Sequence, residues 1–149
     1  MANVVMITGT GRSYALGYNL VLRYLEAGDT VVATVRKPSA DIDALKKQYG
    51  DRLIVATMDL LDTESINKAA LEVAEKVDHI DTLINNAVGV SPDCDKGFFD
   101  ANLDYIARTV DITAVGAMRV IKAFYPFLKK SDTTALVMNI FERLFTVSA

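Results

Sequence analysis

Short runs of consecutive apolar residues alternate along this chain with stretches where apolar residues recur every three or four positions, the signatures of strand and helix. Val4, Val5, Met6 and Ile7 form the first run, ending at Gly9, as expected of a strand buried on both faces. Leu16, Leu20, Val21, Tyr24 and Leu25 then trace one helix face, stopped by Gly28. A second strand is predicted over 30–35, closed by Lys37 and Pro38, followed by a short helix through Ile42, Leu45 and Tyr49 that ends at Gly50. Leu53 to Ala56 give a third strand ending near Asp59. A helix from about Thr63 to Val77 carries Ile66, Ala69, Ala70, Val73 and Val77 on one face. Thr82, Leu83 and Ile84 run into Asn85 and Asn86 as a fourth strand, and Ser91, Pro92 and Asp93 mark a loop from Gly89 to about Phe98. One long helix through Leu103, Ile106, Val110, Ala117, Val120, Ile121 and Phe124 precedes a fifth strand, Ala135 to Ile140.

Alternating strands and helices predict βαβ units with right-handed crossovers, hence an α/β fold with a doubly wound, Rossmann-like parallel sheet of about five strands in the order 3-2-1-4-5. Such a sheet binds ligands beyond the carboxyl ends of its strands, next to strand one. The 149 residues amount to a single domain, 1–149, of dinucleotide-binding type. With 51% hydrophobic and 23% charged residues, disorder is excluded as the main state. Lys plus Arg number 16 against 19 for Asp plus Glu, and the net charge of −3 lacks the footprint of a nucleic-acid binder. Cys94 is the only cysteine, so no internal disulfide forms. No apolar run approaches the ~20 residues of a membrane helix, and no basic leader precedes the first apolar stretch. A cytoplasmic protein is expected.

Chemistry is sought where strands end. After the first strand the chain reads ITGTGRSYALG, in which glycines let the backbone approach a pyrophosphate and the next helix offers unpaired N–H groups. Gly9 and Gly11 fit the G-x-G-x-x-G pattern, while Tyr14 takes the third glycine position; the alternative is a ligand-free turn. Arg36 and Lys37 close the second strand, where a basic residue suits a 2′-phosphate and an acidic one would suit a ribose. Arg12, in the turn, is placed to approach the same phosphate; the alternative for these cations is a solvated strand end. His79 is expected at the surface, and neither it nor Asp93, Cys94 and Asp95 makes a metal site.

Taken together, Thr8-Gly9 with Gly17, the VVATVRKP stretch, Asp59-Leu60, DTLINNA over 81–87, TVDITAVGAMRVIKAFYPFL and ALVMNI resemble the short-chain dehydrogenase/reductase family from the first residue to about 140. The resemblance implies NADP(H) as cofactor, with Asp59 on the adenine amino group, Leu60 flanking the ring, Asn86 and Ala87 lining the ribose, and Arg36 selecting the phosphorylated form, beside the Gly9, Gly11, Arg12 and Gly17 that the turn itself offers to phosphates.

The departures point the other way. Between Gly9 and Gly17 the chain is two residues longer than the family's TGxxxGxG turn, and its RSYALG part resembles the variant turn of enoyl reductases. Val88 stands where NNAG has glycine. The catalytic Asn falls on Thr113, and the catalytic Ser position reads Phe141-Glu142, which leaves Thr113 and Glu142 as weak catalytic candidates. The family's Tyr-x-x-x-Lys is expected about a dozen residues beyond that Ser, so the chain reads as C-terminally truncated, without the usual hydride-transfer machinery. Tyr125 to Lys129 spell the same pattern before the fifth strand, where packing is expected instead. Two readings therefore stand beside an NADP(H)-binding oxidoreductase with uncertain retention of its cofactor. One is a non-redox enzyme, an isomerase or cyclase that reuses the pocket, and the other a catalytically inactive binding or regulatory module. The exposed fifth strand and the apolar long helix predict a homo-oligomer, a dimer through that helix.

Overall fold

Each residue of the first apolar run is buried because helices cover both faces of the strand it forms. The computed structural model describes residues 2–141. Its strands β1 (Val4–Thr8), β2 (Thr30–Val35), β3 (Leu53–Thr57), β4 (Thr82–Asn85) and β5 (Leu136–Asn139) form a parallel sheet ordered β3-β2-β1-β4-β5. Val5 aligns with Val31 on one side and Thr82 on the other, which puts β1 at the centre. The order reverses beside β1, so a crevice opens at its carboxyl end.

Alternate residues of β1 feed two cores. Val5 and Ile7 pack with Val21 and Leu25 of α1 (Leu16–Glu26) and Ile42 and Leu45 of α2 (Ala40–Tyr49). Val4 and Met6 pack on the opposite face with Ile66, Ala69 and Val73 of α3 (Thr63–Ala74) and with Val120, Phe124 and Leu128 further along. Side chains sort by face because a strand's period is two and a helix's is 3.6.

The long helix is built in three parts: α4 (Leu103–Val110), a π-helical turn (Asp111–Val115) and α5 (Gly116–Leu128). A π turn accommodates one extra residue, and such turns recur at functional sites. Arg119 braces it, donating to the Asp111 carboxylate at 2.9 Å and to the Leu60 carbonyl at 3.0 Å. At the far end of α5 the Phe127 carbonyl accepts from the Ile80 amide, which fixes that end at the start of β4. Among the described residues β5 pairs with β4 alone, with Ile84 beside Met138. Leu136 and Met138 therefore project to the α1 side of the sheet, where they are 52% and 42% exposed and no described helix covers them. No helix among the described residues is long and apolar enough to cross a membrane.

The amino-terminal end of the sheet is tied at half-buried Asp81, just before β4. Its carboxylate accepts from the Ser131 hydroxyl at 2.6 Å and the Val4 amide at 2.8 Å, and His79 lies 3.4 Å away. Burial alone would raise its pKa, but these donors hold it below the ordinary carboxylate value. His79, expected at the surface, is thus half-buried against a carboxylate.

Candidate functional site

The crevice at the end of β1 is shaped by two glycines. Gly9 has φ +74°, and a Cβ there would lie 2.8 Å from Ala87 Cα. A Cβ on Gly17 would lie 2.5 Å from both the Gly9 carbonyl oxygen and Asn86 Nδ2. Backbone therefore meets backbone at both positions, and only glycine allows it. Gly11 differs: its nearest neighbour would be Val35 Cγ1 at 3.6 Å, an ordinary contact.

Thr8 and Asn86 lock the ends of β1 and β4 together. The Thr8 hydroxyl oxygen accepts from the amides of Asn86 at 3.1 Å and Ala87 at 3.0 Å. The Asn86 side-chain amide in turn donates to the carbonyls of Thr8 at 2.9 Å and Gly9 at 3.2 Å. Above this frame α1 begins at Ala15, which supplies no side-chain cap. The first amides of α1 are thus left to an outside acceptor, next to the positive end of the helix dipole.

The lengthened turn leans on α2. The Ser39 hydroxyl donates to the Gly11 carbonyl at 2.8 Å, and the Ser13 amide donates to the Asp41 carboxylate at 3.0 Å. Arg12, Arg36 and Lys37 are exposed, and their side chains have no ion-pair or hydrogen-bond partner among the described residues. Asp59, half-buried after β3, accepts from the Leu61 amide with one carboxylate oxygen. Leu60 is 7% exposed, its side chain in the core and its Cβ at 2.8 Å from where a Gly116 Cβ would stand.

Beyond the Asn86 end lies a cavity of about 190 Å³ lined by Val88, Gly89, Thr109, Val110, Thr113 and Phe141. Its two hydroxyls are engaged: Thr109 donates to the Tyr105 carbonyl at 2.9 Å, and Thr113 accepts from the Gly89 amide at 3.0 Å. Among the described residues the Thr113 hydroxyl has no acceptor for its own proton. The adjoining loop is organised by buried Asp93, which accepts from the Asn102 amide at 2.9 Å and pairs with Lys96 at 3.0 Å; both lower its pKa. Tyr125 and Lys129 are far from this end of the sheet, the ammonium sitting 5.8 Å from the ring centroid of its neighbour as an exposed packing pair. Glu142 lies outside the described residues. No metal-binding group of acidic, His and Cys residues exists among the described residues.

The short chain dehydrogenase family model matches residues 3–141, nearly the whole described structure. The chain belongs to the short-chain dehydrogenase family. Short chain dehydrogenase gsfK of Penicillium aethiopicum is 34% identical over 137 residues, covering 89% of this chain and 53% of that protein. The NADPH-bound carbonyl reductase from chicken fatty liver superposes with a TM-score of 0.74 at 26% identity, covering 87% of this chain and 52% of its own. A short-chain dehydrogenase from Streptomyces avermitilis gives a TM-score of 0.75 at 26% identity over 87% of this chain and 46% of the other. The chain thus spans about half the length of these relatives.

Of the residues named from sequence, Gly9, Gly17, Asn86 and Ala87 converge on one cradle, while Gly11 stands against Val35 and Ser39 with the exposed Arg12 beside it in the turn. Thr113 stands apart, in the cavity wall. Sequence reading missed Thr8 as the bracket, Ser39 and Asp41 as supports of the turn, and Arg119 as the brace of the π turn. Ser39 alone carried a signal, being a serine three residues before Ile42 at a helix start.

Proposed function

We propose that this short-chain dehydrogenase-family chain binds NADP(H), with the diphosphate on the glycine turn and the first amides of α1, and the 2′-phosphate held by Arg36, Lys37 and Arg12. The residues present fit the adenosine-diphosphate half of the cofactor. Two positions exclude a Cβ, a helix begins without a side-chain cap, and three cations have no partner among the described residues. The uncapped start of α1 facing Gly9 carries the reading, because its orphan amides need an acceptor and an anion supplies one. NADP(H), when bound, supplies or accepts a hydride. Within residues 2–141 the chain's own part is to bind and orient, and the one hydroxyl free to donate at the far end belongs to Thr113. Oxidoreductase activity is proposed for the protein as the activity of its family. Self-association through the exposed face of α4 and α5, where Val110, Val115 and Met118 are solvent-facing, completes the proposal; a dimer mass in light scattering tests it.

Calorimetric titration with NADPH and NADH tests the cofactor. Wild-type protein should bind NADPH saturably and more tightly than NADH. Arg36→Ala should weaken NADPH about ten- to hundredfold, the loss of one charge-assisted contact, and leave NADH within twofold. No heat with either cofactor refutes the reading. A second reading, an enzyme of non-redox chemistry on an apolar ligand, draws on the cavity walled by Val88 and Phe141. It is favoured if turnover persists without any nicotinamide cofactor.

A further inference from the structure

We infer that Asp41, together with Ser39, is a positioning residue that fixes the lengthened glycine turn against α2 and thereby sets the preference for a 2′-phosphorylated dinucleotide. The inference rests on the cofactor reading above and goes beyond it. Arg12 sits between two anchored neighbours: Gly11 is held through its carbonyl by Ser39, and Ser13 through its amide by Asp41. A third tie, from the Thr10 amide and hydroxyl to the Thr34 carbonyl at 3.1 Å, sets the turn beside the end of β2. Gly11 stands within contact distance of Val35 and Ser39, so Arg12 leaves the turn next to the segment that bears Arg36 and Lys37.

Without these ties the two extra residues would give the turn freedom, and Arg12 would lose its place. Among the described residues the guanidinium has no partner, so its placement there rests on its backbone. Hydrogen bonding to Ser13 holds the Asp41 pKa below the ordinary carboxylate value, which leaves an ionised acceptor at neutral pH. A carboxylate near a phosphate site would otherwise be counterproductive, because like charges repel. Its retention here makes sense as a tie rather than as a ligand contact.

The two roles predict opposite signs. Asp41→Ala removes a negative charge, and if charge alone mattered NADPH would bind more tightly. If the tie matters, Asp41→Ala should weaken NADPH about three- to tenfold, the worth of one ordinary hydrogen bond, with NADH changed less than twofold. Asp41→Asn keeps an acceptor for the Ser13 amide without the charge and should restore NADPH affinity to the wild-type value or better. Calorimetry on the full chain with NADPH and NADH reads all three proteins, and amide exchange over 11–14 without ligand should quicken in Asp41→Ala alone. Ser39 also caps α2, so Ser39→Ala serves as a second variant whose melting is followed in parallel. The inference is overturned if wild type prefers NADPH while Asp41→Ala binds it equally or better, or if NADPH and NADH weaken together. If wild type binds neither cofactor, the cofactor reading itself has failed, and this inference falls with it.

Discussion

Replacing glycines one at a time with alanine separates the positions that shape the cradle from those that merely occupy the turn. At Gly9 an alanine must hold φ +74°, which costs about 1–2 kcal/mol, and its Cβ would press on Ala87 backbone at 2.8 Å, overpacking worth about 1–3 kcal/mol. The expected loss is about 2–5 kcal/mol, a fall in Tm of about 4–20 °C for a chain of this length. At Gly17 two effects oppose each other. Helix propensity favours alanine by about 1 kcal/mol. Contact at 2.5 Å with the Gly9 carbonyl cannot be relieved without parting α1 from the turn and breaking the hydrogen bonds of Asn86. The clash wins, and Gly17→Ala should lose about 1–4 kcal/mol. Gly11 has negative φ and room for a methyl, so Gly11→Ala should be neutral or stabilise by up to about 1 kcal/mol through the unfolded chain. Urea unfolding of the three variants beside wild type reads the order. Gly11→Ala as damaging as Gly9→Ala, or Gly9→Ala as stable as wild type, would refute the packing argument.

Two further outcomes follow from polar ties at the two ends of the sheet. Thr8→Val keeps the shape but leaves the Ala87 amide without its acceptor and the Asn86 amide with the Ile84 carbonyl alone, and should cost about 1–3 kcal/mol in urea unfolding; a loss below about 0.5 kcal/mol would mean that water replaces the hydroxyl. Asp81 has a folded pKa below its unfolded value near 3.9, so its contribution is complete above that value and lost as pH falls through the lower folded one. Asp81→Asn should therefore lower stability at pH 7 and show a smaller drop between pH 7 and pH 3 than wild type, measured as urea midpoints. Equal pH slopes in the two proteins would count against it.

The strand order was legible because each strand is bounded by residues that cannot continue it, and because Val4–Ile7 is apolar without alternation. The end of the third helix was not: Val77 keeps the apolar spacing, yet α3 stops at Ala74, and Val77 packs from the turn that follows. The π turn escaped notice since an extra residue between Val110 and Ala117 barely disturbs a stripe through Ile106, Val110, Ala117 and Val120. At the site, glycines and cations were visible because their chemistry is local. The ties from Ser39 and Asp41 were not, because they join positions 28 residues apart and depend on how α2 is set against the turn.

One oxygen, on Thr8, receives two successive amides from the residues just beyond β4, and this ties the floor of the crevice into one unit. A nucleotide settling there would meet a surface that does not yield, so accommodation of differently decorated nucleotides has to come from the rim. Laboratory evolution toward another dinucleotide should accordingly accumulate its changes between positions 11 and 14 and along the start of α2, and leave 8, 9, 86 and 87 as they are.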